Sequence, residues 1–456
     1  MVASSMEIDL QSRTRSTEPS VLIMGMGATG ASCARYFATL GIAAEFIDTR
    51  EHPPGMHQIL DAMPDARIHT GGHVAALRES IERIVISPGV DLESPLIKVG
   101  RTRRLDIVSD IDLFIAECKA PLIAVTGSNG KSTVVSMAGS ILSAAGTRIA
   151  VGGNLGTPAL DLLDSDVELY VLELSSFQLE RSAPVPSAAA VILNITPDHL
   201  DQHVDMDAYS AAKARIYLSC DHAIVNRDFP ELSDLVPSGT DVTTFGMDHP
   251  ATGEFGIRTT PRGECIALGD ALLLAVDELP LPGRHNLSNA MAALALGVAV
   301  GVSSAGMAQA LKRYRGLPHR LQVVSDARGI QWIDDSKATN VDAAVRSIAS
   351  VADPFVLIAG GDAKSARFAA LADALRGRDC RVILLGRDAA NIAGQLGGTG
   401  DARIVDTMQA AVESAAAAAK PGATVLLAPA CSSLDMFDGF AARGNAFAAA
   451  IRGLGS

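Results

Sequence analysis

Residues 121–126 form an apolar run that leads directly into Gly127, Ser128, Asn129, Gly130, Lys131 and Ser132. A strand that turns through glycines and ends in Gly-Lys-Ser admits few folds. The turn aims backbone N–H groups at an anion, the lysine reaches terminal phosphates, the hydroxyl helps to hold Mg²⁺, and the helix that follows adds its positive end. The implied ligand is a nucleoside triphosphate, and the implied frame is a parallel α/β sheet. The spacing departs from the usual pattern, because Val125 stands where the first glycine belongs and Gly127 lies only three residues before Gly130.

A second strand-to-helix turn lies near the N-terminus. Residues 21–24 are apolar and run into Gly25, Gly27 and Gly30 at G-x-G-x-x-G spacing, followed by a helical stretch at 31–40. The next apolar run, 44–47, ends at Asp48, 21 residues after Gly27. That is the outline of a dinucleotide fingerprint with its ribose-binding acid, so an NAD(P)-dependent oxidoreductase is a rival reading. Residues 84–89 make another strand-to-turn junction, with Ser87 in the turn.

At 456 residues the chain exceeds what one core usually supports. We expect three domains, at 20–109, 110–316 and 317–456, after a frayed tail at 1–19. In the second, 168–174 and 188–194 read as strands, 206–219 as a helix, and 235–282 as a turn-rich β excursion. In the third, apolar runs at 354–359, 380–385 and 424–428 alternate with alanine-rich helical segments such as 408–419. This alternation predicts mainly parallel sheets with helices on both faces. The predicted fold is a Rossmann-like domain, a central P-loop-type domain and a second Rossmann-like domain.

With 51 acidic against 38 basic residues, a formal charge of −13 argues against broad nucleic-acid or anionic-membrane binding. The six cysteines show no paired C-x-x-C spacing, which fits reduced thiols in a cytoplasmic protein, and any metal should use oxygen ligands. Cys431 reads as a small packed thiol, and His52, His57, His69, His73 and His203 as surface residues. No apolar run is long enough to span a bilayer. A soluble monomer is expected.

The motifs around the phosphate loop narrow the chemistry. Glu173 stands at a strand end and is followed by Leu174-Ser175-Ser176-Phe177-Gln178; Asn194-Ile195-Thr196-Pro197-Asp198-His199 ends the next strand; Lys213 lies on the helix beyond. Together with Gly152–Gly156, Gly283–Asn289, Gly316-Leu317-Pro318-His319-Arg320, Asp335–Asn340 and Ala430–Asp435, these segments make the chain resemble the Mur ligases, ATP-dependent amide-bond formers of peptidoglycan synthesis. The resemblance covers nearly all of the chain.

It implies that Gly127, Ser128, Asn129, Gly130, Lys131 and Ser132 hold ATP phosphates, and that Ser132, Glu173, His199 and Lys213 serve two Mg²⁺ ions. Lys213 would react with CO₂ to become a carbamate, which replaces a repelling ammonium with an anionic oxygen ligand. Asn286 and Asn289 would face adenine, Arg320 the phosphates and Asp335 the ribose, with Lys337 near the reacting groups. The resemblance further implies UDP-N-acetylmuramoyl-L-alanine as the activated substrate. Thr29 and Gly30 would lie at its diphosphate, Asp48, Thr49 and Arg50 at its uracil, and Asn154, Ser175 and Gln178 at its reacting end, with Ser87 also among the residues that bind it. D-glutamate would be the acceptor, held by Thr339, Lys364, Ser433 and Phe440. L-glutamate remains open, since both isomers present the same charges. Rotation of the third domain about 316–320 is expected to bring the reactants together.

Overall fold

The computed structural model describes residues 18–71, 77–154, 156–197, 203–281, 283–314, 316–326, 329–363, 366–399 and 401–454. Three sheets follow one another along the chain. The first is built from β1 (Val21–Met24), β2 (Ala44–Asp48), β3 (Arg67–Thr70), β4 (Arg83–Ile86) and β5 (Asp106–Ser109) in the order β3-β2-β1-β4-β5, all parallel. Strands β1 and β2 are buried along their whole length, which explains their uninterrupted apolar sequences. The order reverses at β1, so the Gly25–Gly30 turn opens at the point where such sheets gather ligands.

The second sheet contains β6 (Leu122–Thr126), β7 (Ile149–Gly153), β8 (Leu169–Glu173), β9 (Ala189–Ile192), β10 (His222–Asn226), β11 (Asp241–Phe245), β12 (Phe255–Thr260), β13 (Gly263–Leu268) and β14 (Ala271–Ala275). Its order is β14-β13-β12-β11-β10-β9-β6-β8-β7. It is parallel from β7 to β12, and β12, β13 and β14 form an antiparallel meander. The expected β excursion is this meander. The helix expected at 206–219 is shorter, Met206–Ala214, and tightens into a 3₁₀ turn at Arg215–Tyr217.

The third sheet, from β15 (Gln322–Ser325), β16 (Gln331–Asp334), β17 (Phe355–Gly360), β18 (Cys380–Leu385), β19 (Ala402–Ile404) and β20 (Thr424–Leu427), has the order β15-β16-β20-β17-β18-β19. Only the β15–β16 pair is antiparallel. Separate apolar clusters cover its two faces, one around Leu357, Phe368 and Leu384 and the other around Trp332, Val425 and Phe447.

The chain divides into two compact units, Met1–Leu279 with Leu287–Lys312, and Pro280–Asn286 with Arg313–Ser456. Within the first unit one apolar cluster runs from Phe37 and Phe46 to Tyr170 and Ile216, so the first two sheets share a core. Polar ties reinforce it: Arg35 Nε donates to Asp161 at 2.9 Å, Arg181 Nη2 to the Val90 carbonyl at 2.9 Å, and the Ala183 N–H to Asp112 at 2.7 Å. Asp110 is buried at the start of the helix Asp110–Glu117, and its Oδ1 has no hydrogen-bond partner among the described residues. Burial pushes its carboxyl up to about 7.

Candidate active site

The turn after β6 is held by its own backbone conformation and hydrogen bonds. Gly130 adopts a left-handed conformation, φ 85°, which lets the chain turn into the helix Lys131–Ala144. A Cβ at Gly130 would lie 2.6 Å from Asn289 Oδ1, so the turn and Asn289 are close neighbours. The loop is also stitched to the end of β9. The Ser128 N–H donates to the Asn194 carbonyl at 2.9 Å and the Asn129 N–H to Asn194 Oδ1 at 2.9 Å. Ser128 Oγ donates to the Thr196 carbonyl and lies 3.0 Å from the Tyr209 hydroxyl.

Four of the residues assigned to phosphate and metal, Lys131, Ser132, Glu173 and Lys213, meet here. Ser132 Oγ donates to Glu173 Oε2 at 2.6 Å, and Asn154 Nδ2 donates to Glu173 Oε1 at 3.1 Å. Glu173 is buried at the end of β8. Lys131 Nζ donates to the Gly127 and Ser128 carbonyls at 2.7 and 2.9 Å, and buried Lys213 donates to the same Gly127 carbonyl at 3.0 Å. Two ammonium groups thus converge on one oxygen, and Lys213 Nζ also sits 4.6 Å from the centre of the Tyr209 ring. A carboxylate and a hydroxyl are the oxygen donors that Mg²⁺ prefers, so these residues fit that ion. Among the described residues no group of three or more His, Cys, Asp or Glu side chains is arranged to hold a metal. His199 lies outside the described residues, as does Lys364.

Ser175 and Gln178 cap the short helix Ser176–Arg181 reciprocally: Ser175 Oγ accepts the Gln178 N–H, and Gln178 Oε1 accepts the Ser175 N–H at 3.0 Å. They follow Glu173 in the turn after β8, and here they hold each other. His203 corrects the surface assignment given above. It is buried, stacks on Phe177 with centroids 5.1 Å apart, and pairs with Ser176 Oγ at 3.0 Å. The planar ring fills the gap between Phe177 and Tyr209, a packing role that its polar sequence neighbours conceal.

In the first sheet, Thr29 and Gly30 open the helix Ala28–Leu40, and a Cβ on Gly30 would stand 2.2 Å from the Gly25 carbonyl oxygen. Asp48 accepts the Met26 N–H at 2.8 Å and the Arg50 guanidinium at 2.6 and 2.9 Å. Burial alone would raise its carboxyl, and those donors outweigh burial and bring it down to about 2. Ser87 Oγ donates weakly to the Gly25 carbonyl, so turns after β1, β2 and β4 meet, with Thr49 exposed at their edge.

In the second unit, burial lifts the Asp335 carboxyl to about 6, against the Ser347 hydroxyl that donates to it and the nearby Arg320 charge. Lys337 Nζ lies 4.2 Å from the Phe440 ring centre, and the Thr339 N–H donates to the Lys337 carbonyl at 2.8 Å. Ser433 is buried in the loop after β20, and Asn286 lies in the segment of this unit that precedes Leu287. Burial pushes the Cys431 thiol up to about 12, in keeping with a packed, unreactive sulfur.

The structure adds residues that the sequence reading passed over. Tyr209 lies one helical turn before Lys213, a spacing that signals contact. Arg443 is fully buried: Nε donates to Ser336 Oγ at 2.9 Å, Nη2 to the Ser336 carbonyl at 2.9 Å and Nη1 to the Cys431 carbonyl at 3.1 Å. It lies on the alanine-rich helix Phe440–Gly453, where nothing in the adjacent sequence marks a buried charge.

Comparison with known proteins gives the family. Residues 19–109 match the Mur ligase MurD-like N-terminal domain, 125–297 the Mur ligase middle domain and 319–431 the Mur ligase glutamate ligase domain. UDP-N-acetylmuramoylalanine–D-glutamate ligase of Nitrosococcus oceani is 44% identical, over 94% of this chain and 96% of its own length. The proteins of that name in Marinobacter nauticus and Pseudomonas aeruginosa are 42% and 43% identical, each over 95% of this chain and 98% of its own. Among solved structures, UDP-N-acetylmuramate-alanine ligase of Thermotoga maritima shares the fold, with TM-score 0.62 at 18% identity, over 96% of this chain and 100% of that one. UDP-N-acetylmuramoylalanyl-D-glutamyl-2,6-diaminopimelate–D-alanyl-D-alanyl ligase of Acinetobacter baumannii gives 0.57 at 18%, over 90% of each chain. The oxidoreductase alternative falls with these matches, since all three segments find their counterparts in one ligase family. The chain belongs to the Mur ligase family.

Proposed function

We propose that this chain is an ATP-dependent amide ligase that adds D-glutamate to UDP-N-acetylmuramoyl-L-alanine through an acyl phosphate, with release of ADP and phosphate. The observation that carries the reading is its likeness, over nearly the whole chain, to ligases named for that reaction. The gathering of Lys131, Ser132, Glu173 and Lys213 around one phosphate loop supports it. In this reading residues 20–109 bind the UDP end, 110–316 bind ATP, and 317–456 bind the acceptor, with a hinge at 316–320.

The roles follow from charge and position. The loop 127–132, through Lys131 and the backbone N–H groups at the start of its helix, binds the ATP phosphates and stabilises the charge that moves as the γ-phosphoryl group passes to the alanine carboxylate, while the Ser128 and Asn129 N–H groups hold the loop to Asn194. Two Mg²⁺ ions, when bound, would neutralise phosphate charge. Ser132, Glu173, His199 and a carbamylated Lys213 would hold them. Asn154, Ser175 and Gln178 orient the carboxylate to be activated. The glutamate amine, placed by Thr339, Lys364, Ser433 and Phe440, attacks the acyl phosphate, and phosphate leaves as the amide forms. Asn286, Asn289, Arg320 and Asp335 bind the nucleoside, and Lys337 stands near the reacting groups.

The test is phosphate release with ATP, Mg²⁺ and UDP-N-acetylmuramoyl-L-alanine, run with D-glutamate and separately with L-glutamate. Release with the D-isomer alone is expected. Release with L-glutamate alone would replace the acceptor, and no release with either would overturn the reading.

A further inference from the structure

Three turns converge at the C-terminal edge of the third sheet: residues 361–363 after β17, 386–388 after β18 and 429–435 after β20. Their backbones are interlocked. Asp362 and Ser432 exchange N–H to carbonyl bonds of 3.0 Å in both directions, and the Arg387 N–H donates to Asp435 at 2.8 Å. Gly386 packs so closely on Gly361 that a Cβ there would lie 2.7 Å from the Gly361 Cα and from Asp435 Oδ2. The backbone of Arg387 is therefore fixed beside the loop that carries Ser433. The Arg443 bond to the Cys431 carbonyl ties the same loop to the helix Phe440–Gly453, which begins with Phe440.

The guanidinium of Arg387 is held differently. It is 65% exposed and reaches Asp362 through one long contact, Nη1 to Oδ2 at 3.3 Å. An ion pair of that exposure and geometry is weak and is displaced at little cost by another carboxylate. A fixed base with a loosely held, planar cation suits recognition of a carboxylate better than structural bracing, since guanidinium can make two parallel bonds to it.

We propose that Arg387 is a specificity-determining residue of the acceptor site, which reads the side-chain carboxylate of a dicarboxylic amino acid, and that Asp362 occupies its guanidinium until that carboxylate displaces it. The proposal rests on the ligase reading above. It extends the acceptor site to the turn after β18, where no residue named for that site lies, and it makes a neutral side-chain amide a poor acceptor because it cannot outcompete Asp362.

The experiment is initial-rate kinetics on the full chain with D-glutamate varied and with D-glutamine as the neutral probe. In Arg387→Ala the KM for D-glutamate should rise about 10- to 100-fold, as expected when a charge-assisted bond is lost, while the KM for ATP stays as in the wild type. Its preference for D-glutamate over D-glutamine should shrink by the same factor. Arg387→Lys should recover part of the loss. Asp362→Asn should leave the KM for D-glutamate unchanged or lower it, because it removes the competitor. If the pair were only a brace, both variants would weaken the enzyme alike, and that result overturns the proposal. So does an unchanged acceptor KM in Arg387→Ala. Should Arg387→Ala fail to fold, Arg387→Lys and Asp362→Asn decide the matter: a raised acceptor KM in the first with an unchanged or lowered one in the second supports the proposal, and any other pair of results overturns it. A wild-type protein that releases no phosphate with D-glutamate overturns the ligase reading itself, an outcome distinct from wild-type turnover with unaltered variants.

Discussion

Replacing Arg443 with methionine tests whether a buried cation organises the second unit. The guanidinium is 2% exposed and pushed down to about 10 by burial, and its contacts are neutral oxygens. Ser336 Oγ keeps a partner in the Phe440 carbonyl when the arginine is gone, but the carbonyls of Ser336 and Cys431 lose the donor that the structure gives them. Two hydrogen bonds from a charged donor set a gross loss of about 3–6 kcal/mol. Methionine refills much of the aliphatic volume and ends the cost of burying a charge, which leaves a net destabilisation of about 3 kcal/mol. The readout is built in. The single tryptophan of the chain, Trp332, is buried in β16 and lies against Phe447 of the arginine-bearing helix. Its fluorescence in a urea titration reports the second unit, and at a slope of about 2 kcal/mol per molar the midpoint should drop by about 1.5 M. Arg387→Ala, which removes only an exposed pair, should move it by less than about 0.3 M. If Arg443→Met shifts the midpoint no more than that control, the buried guanidinium does not organise these turns and the reasoning fails.

Asp110 gives a pH dependence. Its folded pKa of about 7 lies above the ordinary 3.8, so the native state binds more protons than the unfolded state between those values, and stability falls as pH rises through that window. Asp110→Asn should remove the fall and be more stable than the wild type at pH 8 by on the order of 2–4 kcal/mol, with little difference at pH 4, as read by calorimetry; equal stability at pH 8 contradicts this. Gly30→Ala places a methyl 2.2 Å from the Gly25 carbonyl, a backbone atom that cannot swing away. A loss of about 2 kcal/mol or more, or weakened binding of the UDP substrate by titration calorimetry, is expected, and wild-type values for both would show that the turn relaxes freely. Lys213→Ala should abolish turnover, and acetate or another short carboxylate should restore a measurable part of it. A complete failure of such rescue counts against the carbamate.

Much of the architecture is legible in the sequence because buried parallel strands leave continuous apolar runs and their C-terminal turns leave glycines. The strands β1, β6, β8, β17, β18 and β20 announce themselves in this way. The short edge strands β3 and β19 do not, since β3 carries Arg67, His69 and Thr70 and is only half buried. The phosphate loop and Glu173 were readable because spacing encodes their chemistry. Arg443 and His203 were not, because their roles come from packing partners far away in sequence: Arg443 meets Ser336 across 107 residues, and His203 meets Ser176 across 27. A charged or aromatic side chain reads as surface or core from its neighbours alone, and long-range contacts reverse that reading.

In the proposed reaction Lys131 and its loop move a phosphoryl group onto a carboxylate and do not simply hydrolyse ATP. Oxygen transfer tests it most directly. UDP-N-acetylmuramoyl-L-alanine labelled with ¹⁸O in the alanine carboxylate is turned over with ATP, Mg²⁺ and D-glutamate, and the released phosphate is analysed by mass spectrometry. An acyl phosphate requires one labelled oxygen to leave with each phosphate formed alongside the amide. Amide formation with unlabelled phosphate would exclude an acyl phosphate.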